Sequence, residues 1–204
     1  MARPRAAGYD DQRDQILARA AELFARQGYN ATTMNQVAAA CGLTKPSLYH
    51  YFTDKQSLLL HIAAGHVHRL QQLAGEVEAL SLPPAERLRA LIERFMQAYA
   101  SAQHQHRVLT EDVRFLPEAE RHQVLEAERR VVAGFAQAIA ALRPELQATA
   151  LHKPLTMLLF GMMNWTFTWL RPDGALTYEA LGEVIADLFA GGLPAVGRDS
   201  RPAR

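Results

Sequence analysis

The chain has 204 residues, 49% of them hydrophobic and 21% charged, which suits one or two folded domains with a buried core. Its single cysteine, Cys41, excludes an intrachain disulfide and a thiolate metal cluster. Its longest apolar run, residues 155–170, is shorter than the roughly 20 residues of a membrane span, and the N-terminus lacks the apolar core of a signal peptide. A cytoplasmic protein without membrane contact is therefore expected. The formal net charge of +1 divides into +2 over residues 1–60, −3 over residues 61–193 and +2 over residues 194–204. Residues 1–60 are thus mildly cationic and residues 61–193 mildly anionic, as expected if only the N-terminal part contacts phosphate.

The first predicted elements are an arm and a helix. Residues 1–9 are predicted to form a flexible arm with Arg3 and Arg5, and two interpretations stay open: a disordered terminus, or arginines that reach a minor groove or a phosphate. Residues 10–27 predict a helix, because apolar residues recur on one face, acidic residues lie near its start and Gly28 ends it. This helix is expected to brace the two that follow.

Residues 32–60 predict two short helices joined by a tight turn, followed by a third helix. Thr33 can cap the first short helix while Gln36 reaches back to it. Gly42 stands where that helix must end with a positive φ. Such an arrangement places one helix in the major groove of DNA.

The second short helix carries the informative side chains. Thr44 can cap it, and Leu48 and Phe52 point into a small core. The outward residues are cationic, hydroxyl-bearing or aromatic, and therefore suit phosphate oxygens and base edges. With the caps and the first residue of the next helix, the predicted DNA contacts are Thr33, Thr44, Lys45, Pro46, Ser47, Tyr49, His50 and Lys55.

One longer pattern runs through this segment: T-x-x-x-I/V-A-x-x-x-G-x-S/T-x-x-x-L/I-Y-x-(Y/H)-F-x-x-K-E-x-L. The matching residues are Thr33, Val37, Ala38, Gly42, Thr44, Leu48, Tyr49, Tyr51, Phe52, Lys55 and Leu58. The segment resembles the DNA-binding part of the TetR family of bacterial transcriptional regulators, with Gln56 where the family usually has glutamate. The resemblance implies a homodimer, a palindromic double-stranded DNA operator and a small-molecule effector pocket in the C-terminal part.

The rest of the chain predicts only helices. The expected fold class is all-α, with about nine helices: an N-terminal helix-turn-helix DNA-binding domain and a C-terminal helical ligand-binding and dimerisation domain. The expected limits are residues 1–54, residues 55–193 and a flexible tail over residues 194–204. Prolines and glycines delimit the later helices, which are predicted over residues 55–80, 86–104, 106–116, 117–142, 154–169 and 177–190.

The last two helices are the predicted dimer surface. Four apolar residues share a face of the final helix, and three glycines allow close backbone approach. These residues are Val184, Ile185, Leu188, Phe189, Gly161, Gly182 and Gly191. Two helices from each subunit would form a four-helix bundle and hold two recognition helices about 34 Å apart, one turn of DNA. The alternative is that these faces complete the monomer core.

The region around residues 105–190 more loosely resembles a TetR subgroup that includes regulators of fatty-acid, phenylacetate and steroid-ring breakdown, whose effectors are acyl-coenzyme A thioesters. An acyl chain needs apolar walls and the nucleotide needs cations. The predicted ligand-binding residues are Phe95, Tyr99, Arg107, Arg114, Phe135, Met162, Trp165, Trp169 and Arg171, with Arg129 and Arg130 as further cations. The alternatives are core packing for the aromatic residues and a solvated face for the arginines.

Three functions stay open at this point. The first is a ligand-responsive repressor released by an acyl-CoA; the second is a regulator of efflux or stress genes that responds to a free hydrophobic molecule; the third is an all-α enzyme or an interaction module. No phosphate-cradling glycine loop or nucleophile elbow is present, so no enzyme and no cofactor is expected. His104 and His106 stand two apart on a helix and face different sides, so no metal site is expected.

Overall fold

The computed structural model describes residues 8–147, 151–171 and 174–197. Within these ranges every regular element is a helix, which confirms the all-α prediction. The described α-helices are α1 (Tyr9–Gln27), α2 (Met34–Ala40), α3 (Lys45–Tyr49), α4 (Lys55–Ala79), α5 (Pro84–Ser101), α6 (Gln103–Asp112), α7 (Glu118–Leu142), α8 (His152–Asn164) and α9 (Tyr178–Gly192). Short 3₁₀ turns cover Val113–Phe115, Pro144–Gln147, Trp165–Thr168 and Leu193–Ala195.

Two sequence predictions fall partly outside these ranges. Arg3 and Arg5 of the predicted arm, and residues 198–204 of the predicted tail, are not among the described residues. Of the helices that are described, none combines the length and the hydropathy needed to cross a membrane.

The chain forms two compact units. Unit 1 comprises Met1–His68 and Ala102–Glu126, and unit 2 comprises Arg69–Ser101 and Ala127–Arg204. Unit 1 therefore combines α1, α2, α3 and α6 with the first part of α4 and of α7. The functional domain limits expected after residues 54 and 193 stay predictions.

In unit 1, α1 packs against α2 and α6. Its buried face includes Ile16, Ala20 and Phe24, as the helical spacing of its apolar residues predicts. The helix ends at Gly28, whose φ of 87° lies in the region that favours glycine, and the Gly28 N–H donates to the carbonyl of Phe24. The helix α1 thus supports α2 and α6, and α3 packs against α2.

In unit 2, α5 and α9 form an extensive helix pair. Gly182 makes the close approach possible, because a Cβ at this position would lie 3.3 Å from the Cβ of Met96. Ile185 and Phe189 are buried on the same side of α9. The sequence predicts these three α9 residues on a dimer surface, whereas the structure places them in the core of unit 2, because α5 covers that side of the helix.

The helix α8 is shorter than predicted and ends at Asn164. The next four residues form a 3₁₀ turn in which the hydroxyl of Thr166 donates to the carbonyl of Met163 and that of Thr168 to the carbonyl of Trp165. Threonine hydroxyls that bond back to the helix carbonyls compete with regular α-helical pairing. The two tryptophans therefore lie beyond α8, and not within it.

Candidate nucleic-acid interface and effector region

The cap of α2 fixes the start of the helix-turn-helix. The hydroxyl of Thr33 accepts a hydrogen bond from the Gln36 N–H at 3.3 Å, and the Gln36 side chain accepts one from the Thr33 N–H at 2.8 Å. This is the predicted capping box. After α2, Gly42 adopts a φ of 66° and makes the tight turn into α3.

The helix α3 has five residues and is held by its cap and one buried side chain. The Thr44 hydroxyl accepts a hydrogen bond from the Ser47 N–H at 3.3 Å, and the two hydroxyls hydrogen-bond to each other at 2.8 Å. Leu48 is 0% exposed. Because so short a helix is not stable in isolation, this anchoring decides its direction.

The outward side of α3 is polar and aromatic. Lys45, Pro46, Tyr49 and His50 are exposed, with 41% exposure at Tyr49, and the Lys45 ammonium lies 5.9 Å from the centre of the Tyr49 ring. We call the surface formed by Lys45, Tyr49 and His50 the α3 face. Ammonium, phenol and imidazole groups can all hydrogen-bond to phosphates or base edges.

Lys55, another predicted DNA contact, lies in a different environment. Its ammonium donates hydrogen bonds to the carbonyls of Tyr29, Asn30 and Thr32 at 2.8, 3.3 and 2.9 Å. It also lies 4.3 Å from the centre of the Tyr29 ring, and burial lowers its pKa. Since a lysine has three N–H donors, the predicted phosphate contact would require Lys55 to release one of these carbonyls.

The apolar walls predicted for an effector pocket form a packed core in unit 2. Phe95 and Phe135 are both 0% exposed, and their rings meet edge-on with centres 4.9 Å apart. The ring of Phe135 also contacts that of Phe160 at 4.8 Å, and the Tyr99 hydroxyl donates to Asn164 Oδ1 at 2.9 Å. An effector at this place must separate side chains that now touch.

One carboxyl in this region has an unusual pKa. Burial raises the pKa of Glu128, on α7, to about 7. Burial also raises the pKa of Tyr99, and the charge of Glu128 adds to that shift. A carboxyl with such a pKa is partly protonated at neutral pH and can then donate a hydrogen bond to a carbonyl oxygen.

The remaining predicted apolar ligand residues lie at or near the surface. Met162 is half-buried and lines a shallow groove on α8 with Met157 and Leu158. Trp165 and Trp169 are 62% and 54% exposed. Both tryptophans are predicted pocket residues, but in the structure much of each indole is exposed to solvent.

The predicted cations do not form one cluster within a single unit. Arg107 and Arg114 belong to unit 1, whereas Arg129, Arg130 and Arg171 belong to unit 2. Arg107 pairs with Glu111 at 2.9 Å, and the Arg114 guanidinium lies 4.9 Å from the centre of the Phe115 ring. All five arginines are exposed.

The structure also shows two features that depend on how the helices pack. The ends of α5, α7 and α9 border a cavity of about 300 Å³, with Leu88, Ile92 and Ala186 among its apolar lining residues. Six large apolar side chains on α8, on α9 and at the turn after α8 are exposed. We call them together the α8–α9 face: Met157, Leu158, Trp165, Trp169, Val184 and Leu188. Val184 and Leu188 belong to the dimer surface predicted from the sequence. The cavity has no local sequence signal, because it depends on which side of each helix its neighbours cover.

Two family models match the chain. The model described as bacterial regulatory proteins of the tetR family matches residues 16–62, and the model described as the tetracyclin repressor-like C-terminal domain matches residues 81–193. The chain belongs to the TetR family.

Individual proteins agree with this assignment. The HTH-type transcriptional repressor KstR2 of Mycobacterium tuberculosis is 26% identical over 199 residues, covering 92% of this chain and 96% of the relative. A TetR-family transcriptional regulator from Bordetella parapertussis, known from a crystal structure, is 37% identical to this chain in sequence. The two structures match with a TM-score of 0.85 over 89% of this chain and 95% of that one. AibR, crystallised with isovaleryl coenzyme A and operator DNA, shares the fold at 24% identity and a TM-score of 0.76, covering 87% of this chain and 97% of AibR. The homologues are transcriptional regulators.

Proposed function

We propose that this TetR-family chain is a ligand-responsive repressor that binds a palindromic operator as a homodimer and is released by a small effector. The observation that carries the proposal is the two-sided structure of α3. Leu48 is fully buried, while Lys45, Tyr49 and His50 stay exposed on a helix whose cap and turn are fixed. In functional terms, residues 1–54 read DNA and residues 55–193 bind the effector and the second subunit.

The α3 face supplies the groups for recognition. Lys45 can pair with a guanine edge or a phosphate, and Tyr49 can contact a phosphate or a thymine methyl group. The residues that cap and begin the two short helices, Thr33, Thr44, Pro46 and Ser47, lie beside it along the chain and suit phosphate contacts. We leave Lys55 out of the contact set, because its donors serve protein carbonyls.

The α8–α9 face supplies the dimer contact. Its six side chains are large, apolar and at least half exposed. Monomeric proteins rarely leave such patches in water, and a self-complementary patch on two contacting helices suits a two-fold dimer. Gly161 and Gly191 have open space where a Cβ would stand, so a second subunit could approach closely there.

An acyl-CoA thioester is the effector class that we favour. The AibR complex contains isovaleryl coenzyme A, and the core around Phe95, Phe135 and Phe160 offers apolar contacts for a short acyl chain once it opens. Glu128, protonated in part, can donate to a thioester carbonyl. Of the predicted cations, Arg129, Arg130 and Arg171 belong to the same unit as this core and are the candidates for the anionic nucleotide.

A free hydrophobic effector, with control of efflux or stress genes, is the second candidate. Two observations favour it: the rings of Phe95, Phe135 and Phe160 contact one another, and Arg107 is already paired with Glu111. Such an effector would not need the arginines at all.

Fluorescence anisotropy with a duplex from the chain's own promoter region tests the proposal. The protein should bind the duplex, and isovaleryl-CoA should release it, whereas free coenzyme A and isovalerate should not. Release by an uncharged lipophilic compound but by no CoA ester would replace the first effector class with the second. A true effector at a hundredfold excess over its dissociation constant should also add about 2.7 kcal/mol of stability in thermal unfolding. No binding to any promoter duplex would contradict the proposed function.

A further inference from the structure

The segment between α1 and α2 is tied down from several directions. The Thr32 hydroxyl donates to the Gly28 carbonyl at 2.9 Å, and the Gln27 side-chain amide donates to the Thr32 hydroxyl at 3.0 Å. The Lys55 ammonium holds the carbonyls of Tyr29 and Thr32 in the same segment. The next residue, Thr33, is the cap of α2. The first residue of α4 thus fixes the backbone from which the helix-turn-helix begins.

The ring of Tyr29 extends this arrangement to α6. It is stacked on the ring of Phe115, with centres 5.3 Å apart and planes 17° apart, and Phe115 lies in the turn that follows α6. The Lys55 ammonium stands 4.3 Å from the centre of the Tyr29 ring. The Lys55 ammonium and the rings of Tyr29 and Phe115 therefore form one connected group within unit 1. Tyr29, in the middle of this group, is only 6% exposed.

A lysine suits this position better than other cations do. Its ammonium is compact and has three N–H donors in a tripod, which matches three converging carbonyl oxygens. A guanidinium carries its donors in a flat fork and is larger, so an arginine cannot reproduce the three bonds. This position therefore requires a compact ammonium group, whereas a phosphate contact requires mainly a positive charge.

We propose that Lys55 is a positioning residue for DNA binding: together with Tyr29 and Phe115 it holds the cap of α2, and it makes the placement of the helix-turn-helix depend on the end of α6. The inference rests on the proposed DNA-binding function. It assigns Lys55 no contact with phosphate. It also gives Phe115, which carries no polar group, an influence on operator affinity.

Salt dependence separates this role from a phosphate contact. Replacement of a lysine that contacts phosphate lowers the slope of log affinity against log salt by about 1. Lys55→Met should instead weaken operator binding by about tenfold, as loss of a helix cap would, with the slope unchanged. Lys55→Arg, which keeps the charge, should weaken binding to a similar degree. Lys153→Met, at an exposed lysine on α8, is the control and should change neither quantity.

A second measurement needs no DNA. In hydrogen exchange of the free protein, Lys55→Met and Phe115→Leu should each speed exchange of the amides in residues 32–41, while the amides of α9 keep their wild-type rates. The two substitutions should also be non-additive in operator affinity, because they disturb the same stack. This readout registers the loss of support for α2 even if a variant binds DNA too weakly to measure.

The outcomes are distinct. Wild-type binding by Lys55→Arg, a slope lowered by about 1 in Lys55→Met, or unchanged exchange in residues 32–41 would each overturn the positioning role. Failure of the wild-type protein to bind any operator duplex would instead contradict the proposed function, and the exchange experiment would still report on the stack.

Discussion

The α3 face and the α8–α9 face both expose large side chains, but their chemistry differs. Lys45, Tyr49 and His50 each present a polar group to water, whereas Trp165 and Leu188 expose mainly carbon. Burial of apolar surface contributes roughly 25 cal/mol per Å², so covering the α8–α9 face with a partner is favourable. A polar face remains solvated without a partner. The proposed DNA contact therefore suits repeated release, whereas the proposed dimer contact suits permanent association.

Salt provides the strongest test of that difference. Raising the salt concentration from 50 to 200 mM should lower operator affinity about 10³-fold or more if the dimer contacts six or more phosphates. The same change should leave the dimer intact, because apolar contacts do not release counterions. Anisotropy titrations and light scattering in matched buffers measure the two effects. Dissociation of the dimer by added salt would show that the two faces do not differ as described.

Leu188→Lys should disrupt the dimer. A charge in the middle of an apolar contact is poorly solvated, so light scattering should report the mass of a single chain. Operator affinity should fall about 10²- to 10⁴-fold, because two linked half-site contacts become one. Leu80→Lys makes the same change at an exposed leucine outside the α8–α9 face and should preserve both mass and affinity. A Leu188→Lys protein that stays dimeric would exclude this residue from the interface.

Lys45→Ala should weaken operator binding by about 1–3 kcal/mol if Lys45 reads a guanine, with relaxed specificity at that base pair. If Lys45 meets a phosphate, binding to all sequences should weaken alike. Anisotropy with the operator and with a scrambled duplex distinguishes the two cases. Lys153→Ala is the matched control, and equal affinities for Lys45→Ala and the wild type would remove Lys45 from the interface.

Loss of a helix cap should have a smaller effect that depends on the face. Thr44 caps α3 and Thr177 caps α9, each through a hydroxyl that accepts a backbone N–H. Removing such a cap destabilises a helix by about 0.5–2 kcal/mol. Thr44→Ala should therefore lower operator affinity and leave the dimer unchanged, while Thr177→Ala should lower the melting temperature with little effect on half-site contacts. Equal losses of affinity in both variants would argue against separate roles for the two faces.

The features that the sequence predicted well are local. The capping box joins residues three apart, and the cap of α3 also lies three residues from its partner, so short patterns suffice. The hydrogen bonds of Lys55 to backbone carbonyls were not predicted, because these partners stand 23, 25 and 26 residues away. Such a contact becomes visible only when two elements are placed in space.

The effector region shows a different limit. Phe95 on α5 and Phe135 on α7 each lie among apolar residues at helical spacing. A pocket wall would show that spacing, but a packed core produces it as well. In α9, apolar residues occur on two sides; the structure shows that Phe189 faces α5 while Leu188 faces solvent. Periodicity shows that a helix side is apolar, and it does not identify the neighbour that covers it.

The positions of the tryptophans have a practical consequence. The chain has two, Trp165 and Trp169, and both stand on the α8–α9 face with more than half of the side chain open to water. Indole emission moves to shorter wavelength when water is excluded. The intrinsic fluorescence of the protein therefore arises at the surface proposed for association, and a dilution series read by emission wavelength would follow assembly without any attached dye.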